Sequence, residues 1–509
     1  MNLRQSMAGL HTWGGLLPSW LLYVIIFAGT VACFDKELNR WMRPALHEGV
    51  VSTQGADDVR DWLQRNVSEE LHAFWMHGPT AREPYWRLGW EVDGTETFHN
   101  VAFDPRGVRP EPMPETLGGD FFFKLHYNLH AGDIGMYIVG LAGMFMLVAL
   151  VSGLIIHRRI FKDFFTLRPK ANGQRAWLDA HNLFGVVGFP FHLILAYTGV
   201  AIFVASYMPA AAQVSYSGNV MQYFGEVMGS YHREELHQPA AAPRSLDALI
   251  AESRRLWDGA EVGWVSVHHP DDASAVVDVR RRDGSRIGTP QDTLTYDATS
   301  GELLNRQEAS TGYRAYLWLA GLHMAQFGGS LVRLLYLLMG LCGCAMLVGG
   351  LQVWLAKREG RGDRSLVWVR ALNTSVFAGL PLASLALLWG NRLIPATFTE
   401  RAIAEGWVFV GAWLLMALWA VLERRNTRRL LRHQLLLGAV FALGLPLLNG
   451  LTADDGHLLA SLARGDWALA SVDLFLIAAG LICLACARRF SAAPARAMVP
   501  GRANRVREA

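Results

Sequence analysis

The sequence predicts an α-helical integral membrane protein with about eight transmembrane helices and an external α+β region formed by two long loops. Of its 509 residues, 52% are hydrophobic and only 18% are charged, whereas soluble domains carry about 25% charged residues. Apolar stretches of roughly 20 residues, enough to cross about 30 Å of hydrocarbon, recur along the chain. Two long segments between these stretches instead show the alternation and turn residues of β-hairpins.

Eight apolar stretches are predicted to span the membrane. They lie near residues 14–34, 134–156, 183–206, 331–356, 369–390, 406–423, 431–449 and 468–487. The first stretch lacks a small-residue cleavage site and is followed by FDKELNRWMRP. It is therefore predicted to be a retained helix and not a removed signal peptide.

Basic residues cluster at alternate ends of these stretches. The clusters comprise Arg4; Arg158, Arg159 and Lys162; Lys357, Arg358, Arg361 and Arg364; Arg424, Arg425, Arg428 and Arg429; and Arg488 and Arg489. Loops rich in Lys and Arg stay in the cytoplasm. An even number of spans with all clusters on one side therefore predicts that both termini are cytoplasmic.

This topology divides the chain into seven parts. They are a first transmembrane helix (1–34), an external segment (35–132), the second and third transmembrane helices (133–206), a second external segment (207–330), a fourth transmembrane helix (331–358), an appended four-helix membrane module (359–490) and a cytoplasmic tail (491–509). In each external segment a helical pattern precedes a hairpin pattern: DDVRDWLQRNV before TFHNVAFDPRGVRP, and SLDALIAESRRLW before TLTYDATSGELLNRQ. The repetition predicts two related α+β units.

The five cysteines predict no disulfide framework for the external segments. All of them lie in or at the edge of apolar stretches: Cys33, Cys342, Cys344, Cys483 and Cys486. The last two have CxxC spacing but lie within a predicted membrane helix, where we expect them to pack as small apolar residues.

Seven histidines occupy the ends or the interior of the first four predicted spans. They are His11, His126, His130, His157, His181, His192 and His323. An imidazole is unfavourable in hydrocarbon unless it lines a cavity, pairs or binds a metal, so such residues indicate function. The topology places His126, His130 and His323 on the outer side. It places His11, His157 and His181 on the inner side, with His192 nearer the middle.

Two imidazoles from facing helices can hold a heme iron. The absence of CxxCH excludes the usual covalent attachment and favours heme b. Glycines in the same spans would leave room for a flat macrocycle: Gly132, Gly135, Gly140, Gly143, Gly153, Gly185, Gly188, Gly328 and Gly329. Close helix packing explains these glycines equally well.

Simpler roles remain open for several histidines. His157, beside two arginines, fits an interfacial residue bonded to water or lipid, and His126 fits a residue that only supports His130. Eight histidines of the external segments are expected to be surface-exposed: His47, His72, His77, His99, His232, His237, His268 and His269.

Four motifs together resemble the PepSY-associated transmembrane family of bacterial inner-membrane proteins, over about residues 1–358. They are HTWGG, LHYNLHAG, WLDAHNLFGVVGFPFHL and LHMAQFGG. Similar members include siderophore-iron reductases with a PepSY-like periplasmic domain. The resemblance implies two hemes b, one on each side of a four-helix core. It favours His11, His130, His181 and His323 as axial ligands of the heme iron, followed by His126, His157 and His192.

The same resemblance implies transfer of electrons across the inner membrane to a periplasmic ferric siderophore, whose iron is released on reduction. No dinucleotide or P-loop fingerprint occurs in the chain, so the electron donor is expected to be a quinol or a separate cytoplasmic reductase. The last four spans contain only His433 and His457 and are expected to form a structural or docking module.

Two other functions are compatible with the sequence. One is a quinol-linked transmembrane electron carrier without an iron substrate. The other is a non-redox PepSY-type binding or regulatory protein, in which the histidines are packing residues. Nothing in the sequence indicates binding of nucleic acid.

Overall fold

The computed structural model describes residues 2–95, 97–157, 166–168, 173–231, 233–282, 284, 286–288, 292–307, 309–359, 365–453 and 456–491. The basic cluster after the second span (Arg158, Arg159 and Lys162), Arg361, Arg364, His232 and nearly all of the predicted tail lie outside the described residues. Six to eight helices are long and apolar enough to span a membrane.

The described helices in the first two thirds of the chain are α1 Leu3–Leu16, α2 Ser19–Ala32, α3 Asp35–Trp41, α4 Ala56–Asn66, α5 Asp120–Tyr127, α6 Gly132–Ile156, α7 Gly173–Val187, α8 Phe189–Ala201, α9 Val204–Tyr207, α10 Ala210–Ser215, α11 Val220–Met228, α12 Leu246–Leu256, α13 Thr311–Met324 and α14 Gly329–Glu359. The rest are α15 Leu366–Phe377, α16 Gly379–Leu393, α17 Arg401–Leu422, α18 Thr427–Thr452, α19 Leu458–Ala463 and α20 Trp467–Ser491. One short 3₁₀ helix spans Pro44–Leu46.

Two of the candidate spans are bent pairs of helices, each beginning about ten residues before the predicted stretches 14–34 and 183–206. Helices α1 and α2 meet at 62°, and α7 and α8 meet at 65°. Pro18 lies at the first bend, and Pro190 lies in the first turn of α8 at the second. A proline lacks the backbone N–H and its ring clashes with the preceding turn, so a continuous helix is interrupted there. The bends leave α1 and α7 as separate half-helices.

The two external segments form one antiparallel sheet. Its strands are β1 Leu71–His77, β2 Arg87–Val92, β3 Phe98–Ala102, β4 Glu261–His268, β5 Val276–Arg282, β6 Thr293–Asp297 and β7 Leu303–Gln307. Their order is β3-β2-β1-β4-β5-β6-β7, so the central pair, β1 and β4, joins the two units. Helices α4 and α12 pack on this sheet through a shared apolar core that includes Val59, Leu249 and Val279.

The two predicted hairpins differ in outcome. The second is confirmed, because β6 and β7 pair antiparallel. The first hairpin begins one strand earlier than predicted, because β3 pairs with the preceding strand β2. The chain after β3 makes only the isolated bridge between Phe103 and Pro112. The proline-containing sequence DPRGVRP explains the difference, because a proline cannot donate to a β-ladder.

Helices α4 and α12 cap each other reciprocally. The carboxylate of Asp247 accepts hydrogen bonds from the backbone N–H groups of Ala56 and Asp57 at 2.9 and 3.2 Å. The carboxylate of Asp57 accepts from the Ser245 hydroxyl at 2.5 Å and from the Leu246 N–H at 2.8 Å. Each helix thereby satisfies the free N–H groups at the start of the other. This exchange ties the two α+β units together.

A buried ionic cluster connects the sheet region to α14. Glu37 is 4% exposed and lies 2.7 Å from Arg82 and 2.9 Å from Arg333, which is in the first turns of α14. Burial alone would raise the pKa of Glu37, but the hydrogen bonds and charges of the two guanidinium groups hold it below its ordinary value. The pairing positions the external region over this end of the helices.

Helices α15 to α20 pack against the first part of the chain. The Trp41 indole donates to Asp473 at 2.9 Å, Trp20 donates to Asn373 at 2.7 Å, and Glu405 accepts from the Thr116 hydroxyl at 2.7 Å. One apolar core includes residues of α2, α5, α16 and α17. The last helices are therefore docked onto the rest of the protein and share its core.

Surface exposure was the wrong expectation for His47, which has no exposed surface. Its Nε2 donates to the Trp41 carbonyl oxygen at 3.0 Å. Burial and the nearby Arg392 guanidinium lower its pKa to about 3. His72, His77, His268 and His269 are partly buried, and His99 and His237 are exposed as predicted.

Protonation of His47 is expected to destabilise the protein. Its pKa is about 3 when folded and about 6.5 when unfolded. The unfolded chain therefore binds the additional proton between these values, and the free energy of unfolding falls by up to about 1.4 kcal/mol per pH unit as the pH drops through this window. Melting temperatures of wild-type and His47→Gln protein between pH 7.5 and 4.5 test this expectation.

The His47→Gln variant should lose less stability on acidification than the wild type. His99→Gln, at an exposed position, serves as the control and should follow the wild type. Parallel curves for the wild type and His47→Gln would contradict the assignment.

Candidate functional site

Two histidines from α5 and α13 face each other near the sheet. The rings of His126 and His323 have centroids 5.8 Å apart and planes inclined by 27°, and their Nε2 atoms are 3.5 Å apart. The Nδ1 of His126 lies 2.8 Å from the Ile25 carbonyl oxygen. The Nδ1 of His323 lies 3.1 Å from the Thr198 hydroxyl. We call His126 and His323 the sheet-side pair.

Two further histidines, on two other helices, also face each other. The rings of His11 in α1 and His181 in α7 have centroids 6.2 Å apart. The Nδ1 of His11 is 2.8 Å from the Ala149 carbonyl oxygen, and the Nδ1 of His181 is 2.8 Å from the Met346 carbonyl oxygen. We call His11 and His181 the distal pair.

The hydrogen bonds determine which nitrogen of each ring carries the proton. A carbonyl oxygen can only accept, so the Nδ1 atoms of His11, His126 and His181 must be donors. The Thr198 hydroxyl donates to the Ile194 carbonyl oxygen at 2.7 Å, so it accepts from Nδ1 of His323. In a neutral imidazole the other nitrogen, Nε2, then holds a lone pair. Both members of the sheet-side pair therefore direct lone pairs at each other.

Burial opposes protonation of the sheet-side pair. Burial lowers the pKa of His126, and burial together with the neighbouring His126 lowers the pKa of His323 to about 3. A neutral imidazole is the form that binds metal ions. Both Nε2 atoms of this pair are therefore suited to be metal ligands.

A glycine lies beside each of the four rings. A Cβ added to Gly29 would be 2.6 Å from Nδ1 of His126, and one added to Gly199 would be 2.7 Å from Cε1 of His323. Added to Gly153 it would be 3.0 Å from Cε1 of His11, and added to Gly350 it would be 3.1 Å from Nδ1 of His181. Any larger residue would push the ring away.

Each of these glycines comes four residues after the residue whose carbonyl group the ring contacts. Gly29, Gly153 and Gly350 each come four residues after the accepting residue, Ile25, Ala149 and Met346 respectively. His323 also contacts the carbonyl of Leu195, four residues before Gly199. A helical side chain covers the turn on its N-terminal side. Glycine at this position therefore uncovers a helix carbonyl for a second hydrogen bond. We call this arrangement the glycine notch.

The structure brings His126, and not His130, opposite another imidazole. The ring of His126 lies opposite that of His323. His130 is exposed, its Nε2 bonds to the Phe121 carbonyl oxygen at 2.8 Å, and its ring stacks on Phe121. The physical reason is that α5 ends at Tyr127 and His130 adopts a left-handed conformation with φ of 54°. The two histidines therefore do not share one helical face.

His192 and His157 have no opposing imidazole among the described rings. His192 is 2% exposed, and its Nε2 donates to the Met339 carbonyl oxygen at 2.9 Å in a further glycine notch at Gly343. His157 directly follows the last residue of α6. Each has a buried Nδ1 without a hydrogen-bond partner. Neither His192 nor His157 is placed to act as a further ligand at either pair.

The two pairs lie toward different ends of the helices. The distal pair contacts the C-terminal parts of α6 and α14, at Gly153 and Gly350, and both of its histidines lie on half-helices that precede a bend. The sheet-side pair follows the external segments, because α5 comes after the first unit and α13 directly after β7.

Residue spacing alone did not single out Gly29, Gly199, Gly350 or Thr198. The usable signal was a glycine, or a polar residue next to one, in the interior of an apolar stretch. Among the glycines predicted from the sequence, Gly153 does border a paired ring, that of His11.

The sheet-side pair presents two Nε2 atoms 3.5 Å apart, and the distal pair brings two rings together at an interplanar angle of 62°. A metal–imidazole bond is about 2.0 Å long, so two nitrogens on opposite sides of one ion lie about 4 Å apart and their ring centroids about 6 Å apart. The observed centroid distances of 5.8 and 6.2 Å match this spacing. Within the described residues, no third His, Cys, Asp or Glu joins either pair. The pairs therefore suit an ion whose remaining positions are filled by a cofactor.

Comparisons with known proteins place this arrangement in a family. An uncharacterized protein of Pseudomonas aeruginosa is 29% identical over 406 residues, which cover 75% of this chain and 98% of the relative. The family model described as the PepSY-associated TM region matches residues 8–357, which include all four paired histidines and the complete sheet. The chain therefore belongs to the PepSY-associated transmembrane family.

Proposed function

We propose that this protein is a membrane oxidoreductase that binds two hemes b, one in each histidine pair, and passes electrons to a ferric siderophore on the sheet side. The observation that carries the proposal is the opposition of two Nε2 lone pairs, 3.5 Å apart in the sheet-side pair. In both pairs a hydrogen bond fixes each Nδ1 as the donor.

The number of ligands favours heme over a metal bound by protein alone. Zinc is almost always held by four ligands in structural sites and by three in catalytic ones, whereas each pair offers two. Two imidazoles on opposite sides of an iron leave four positions in one plane, which a porphyrin fills. The observed ring spacing requires only a few tenths of an ångström of adjustment to accept an ion.

When bound, heme would supply one-electron chemistry between its ferric and ferrous states. The residues of this chain determine the conditions under which that chemistry occurs. The Nδ1 hydrogen bonds orient the rings and increase the basicity of Nε2. Each pair would hold the iron through two histidines, which would favour electron transfer over the binding of a small molecule at iron. The glycine notches allow the rings to approach the helix backbone.

The positions of the two pairs support a direction of electron transfer across the membrane. The sheet-side pair adjoins the external units and the distal pair lies toward the opposite helix ends. We place the sheet in the periplasm and both termini in the cytoplasm of a bacterial inner-membrane protein, as the basic clusters predict. A ferric siderophore would meet the protein on the sheet side, and a quinol or a cytoplasmic reductase would donate electrons. The choice of substrate rests on the resemblance to siderophore-iron reductases.

Replacing one histidine of a pair should remove about half of the bound heme, because a single axial ligand remains at that site. His126→Ala and His323→Ala should affect the sheet-side site, and His181→Ala the distal site. The ratio of heme to protein, measured as the pyridine complex in purified samples, gives the result. Combining His323→Ala with His181→Ala should remove nearly all heme.

His130→Ala is the matched control, since its ring bonds to a carbonyl and faces no other imidazole. It should retain the wild-type heme content. Loss of heme in His130→Ala together with full content in His126→Ala would reverse the assignment of the sheet-side ligand. Wild-type protein without heme, from cells supplied with heme, would refute the proposal.

The Gly29→Ala substitution should displace His126, because the added methyl group would lie 2.6 Å from its Nδ1. We expect loss of heme from the sheet-side site or a shifted reduction potential of that site, measured by spectroelectrochemistry. Gly411→Ala, which adds a methyl group to open space within α17, is the control. Identical potentials and heme contents in the two variants would show that the notch is not required.

Reduced wild-type protein should be reoxidised by a ferric siderophore under anaerobic conditions. The measurement follows the absorbance bands of the reduced protein after rapid mixing. The same chelator loaded with gallium(III), which has the same charge but is not reduced, should leave the bands unchanged. Reoxidation by a quinone but not by any of several ferric chelates would favour a carrier without an iron substrate.

A further inference from the structure

A cluster of two histidines and one carboxylate lies in the external region, where the two α+β units meet. His72, Glu235 and His269 each place a ligand atom within 4.8 Å of those of the other two. The carboxylate of Glu235 is 2.5 Å from Nδ1 of His269, and the rings of His72 and His269 have centroids 4.9 Å apart. It is the one such group among the described residues.

From this geometry we infer a binding site for a divalent first-row transition metal ion, such as Zn²⁺ or Fe²⁺. Two imidazoles with one carboxylate are a recurrent ligand set for both ions. The site is separate from the histidine pairs, and the inference does not depend on the proposed heme function.

Local backbone features direct all three side chains to one point. His72 lies where the register between β1 and β2 shifts, between Leu71 and Ala73, and such bulges re-aim a side chain. His269 follows β4 with φ of 50°, a left-handed conformation that is uncommon outside glycine. Its N–H donates to the His72 carbonyl oxygen at 2.9 Å, which keeps the two histidines adjacent.

The third ligand is held in place by a neighbouring aspartate. The carboxylate of Asp272 accepts hydrogen bonds from the N–H groups of Leu236 and Gln238 at 3.0 and 2.9 Å. The segment that carries Glu235 is thereby fastened to the turn that carries His269. No ligand therefore depends on a freely moving loop.

Charge also favours a cation here. Glu235 contributes one negative charge, and Asp93 lies 3.8 Å from Nδ1 of His72. Ligands bound at about 2.0 Å to a tetrahedral ion lie about 3.3 Å apart. On binding, the Glu235 carboxylate and Nδ1 of His269, now 2.5 Å apart, must separate slightly, and His72 must move closer to both. The His72 side chain is 44% exposed and can rotate to close the gap.

The arrangement indicates what a bound ion would do. His72 belongs to the first α+β unit, whereas Glu235 and His269 belong to the second. An ion held by all three would cross-link the units beside the central strand pair. Three protein ligands would leave a position for water, or for a group from a bound molecule.

The test uses full-length purified protein with its affinity tag removed, and equilibrium dialysis against Zn²⁺. We expect one high-affinity zinc ion per chain, and X-ray absorption at the zinc edge should show imidazole ligands. His72→Ala, His269→Ala and Glu235→Gln should each weaken binding more than about 10-fold, since loss of a supporting residue alone costs 10–100-fold. Excess Ca²⁺ should not displace zinc, whereas anaerobic Fe²⁺ should compete more weakly than zinc itself.

His268→Ala provides the matched control. His268 adjoins His269, but its Nε2 lies 3.6 Å from Asp278, outside the cluster, so this variant should bind zinc like the wild type. Circular dichroism of the nearly isosteric Glu235→Gln variant checks that its fold is retained. The inference is overturned if the wild type binds no zinc, if calcium displaces it, or if the three ligand variants bind it as the wild type does. The last two results would leave an ordinary ion pair of Glu235 and His269.

Discussion

The hydrogen bond from a histidine Nδ1 to a helix carbonyl is the interaction on which the candidate site depends. A carbonyl within a helix already accepts one hydrogen bond, but its second lone pair can accept another if no side chain covers it. Glycine four residues later removes that cover. The relation recurs at Gly29, Gly153, Gly199 and Gly350, beside all four paired imidazoles. It satisfies the buried N–H, whose burial would otherwise cost about 1–3 kcal/mol, and leaves Nε2 for a ligand.

The bent helices complement this interaction. A straight span would keep His11 in line with α2 and His181 in line with α8. The interruptions at Pro18 and Gly188–Pro190 turn the two half-helices away by 62° and 65°. The half-helices then pack on α6 and α14, where the accepting carbonyls of Ala149 and Met346 are found. Proline thus acts on the site indirectly, by setting the direction from which the distal histidines approach.

The external sheet is tied to the helices by the buried carboxylate of Glu37 and to itself by two helix caps. Glu37 joins Arg82 near the sheet to Arg333 at the start of α14, and the reciprocal caps of Asp57 and Asp247 join the two units. Each contact pairs a charged group with a partner that compensates its desolvation. The sheet-side histidines lie on the helices that leave this region, α5 and α13, so the sheet and the pair form one continuous structure.

Several features of this protein follow from the sequence alone. Long apolar stretches cannot remain in water, which determines the multi-pass membrane class, and alternation with turn residues determines that the external segments contain strands. Histidines in apolar surroundings identified the set from which both pairs are drawn. The tertiary structure decided which members meet. The family resemblance favoured His130, yet helix α5 ends before it and His126 takes the position opposite His323. Only packing shows which helix carbonyl each imidazole reaches, because that choice depends on contacts between segments distant in the chain. For the same reason the cluster of His72, Glu235 and His269, and the burial of His47, could not be read from any local pattern.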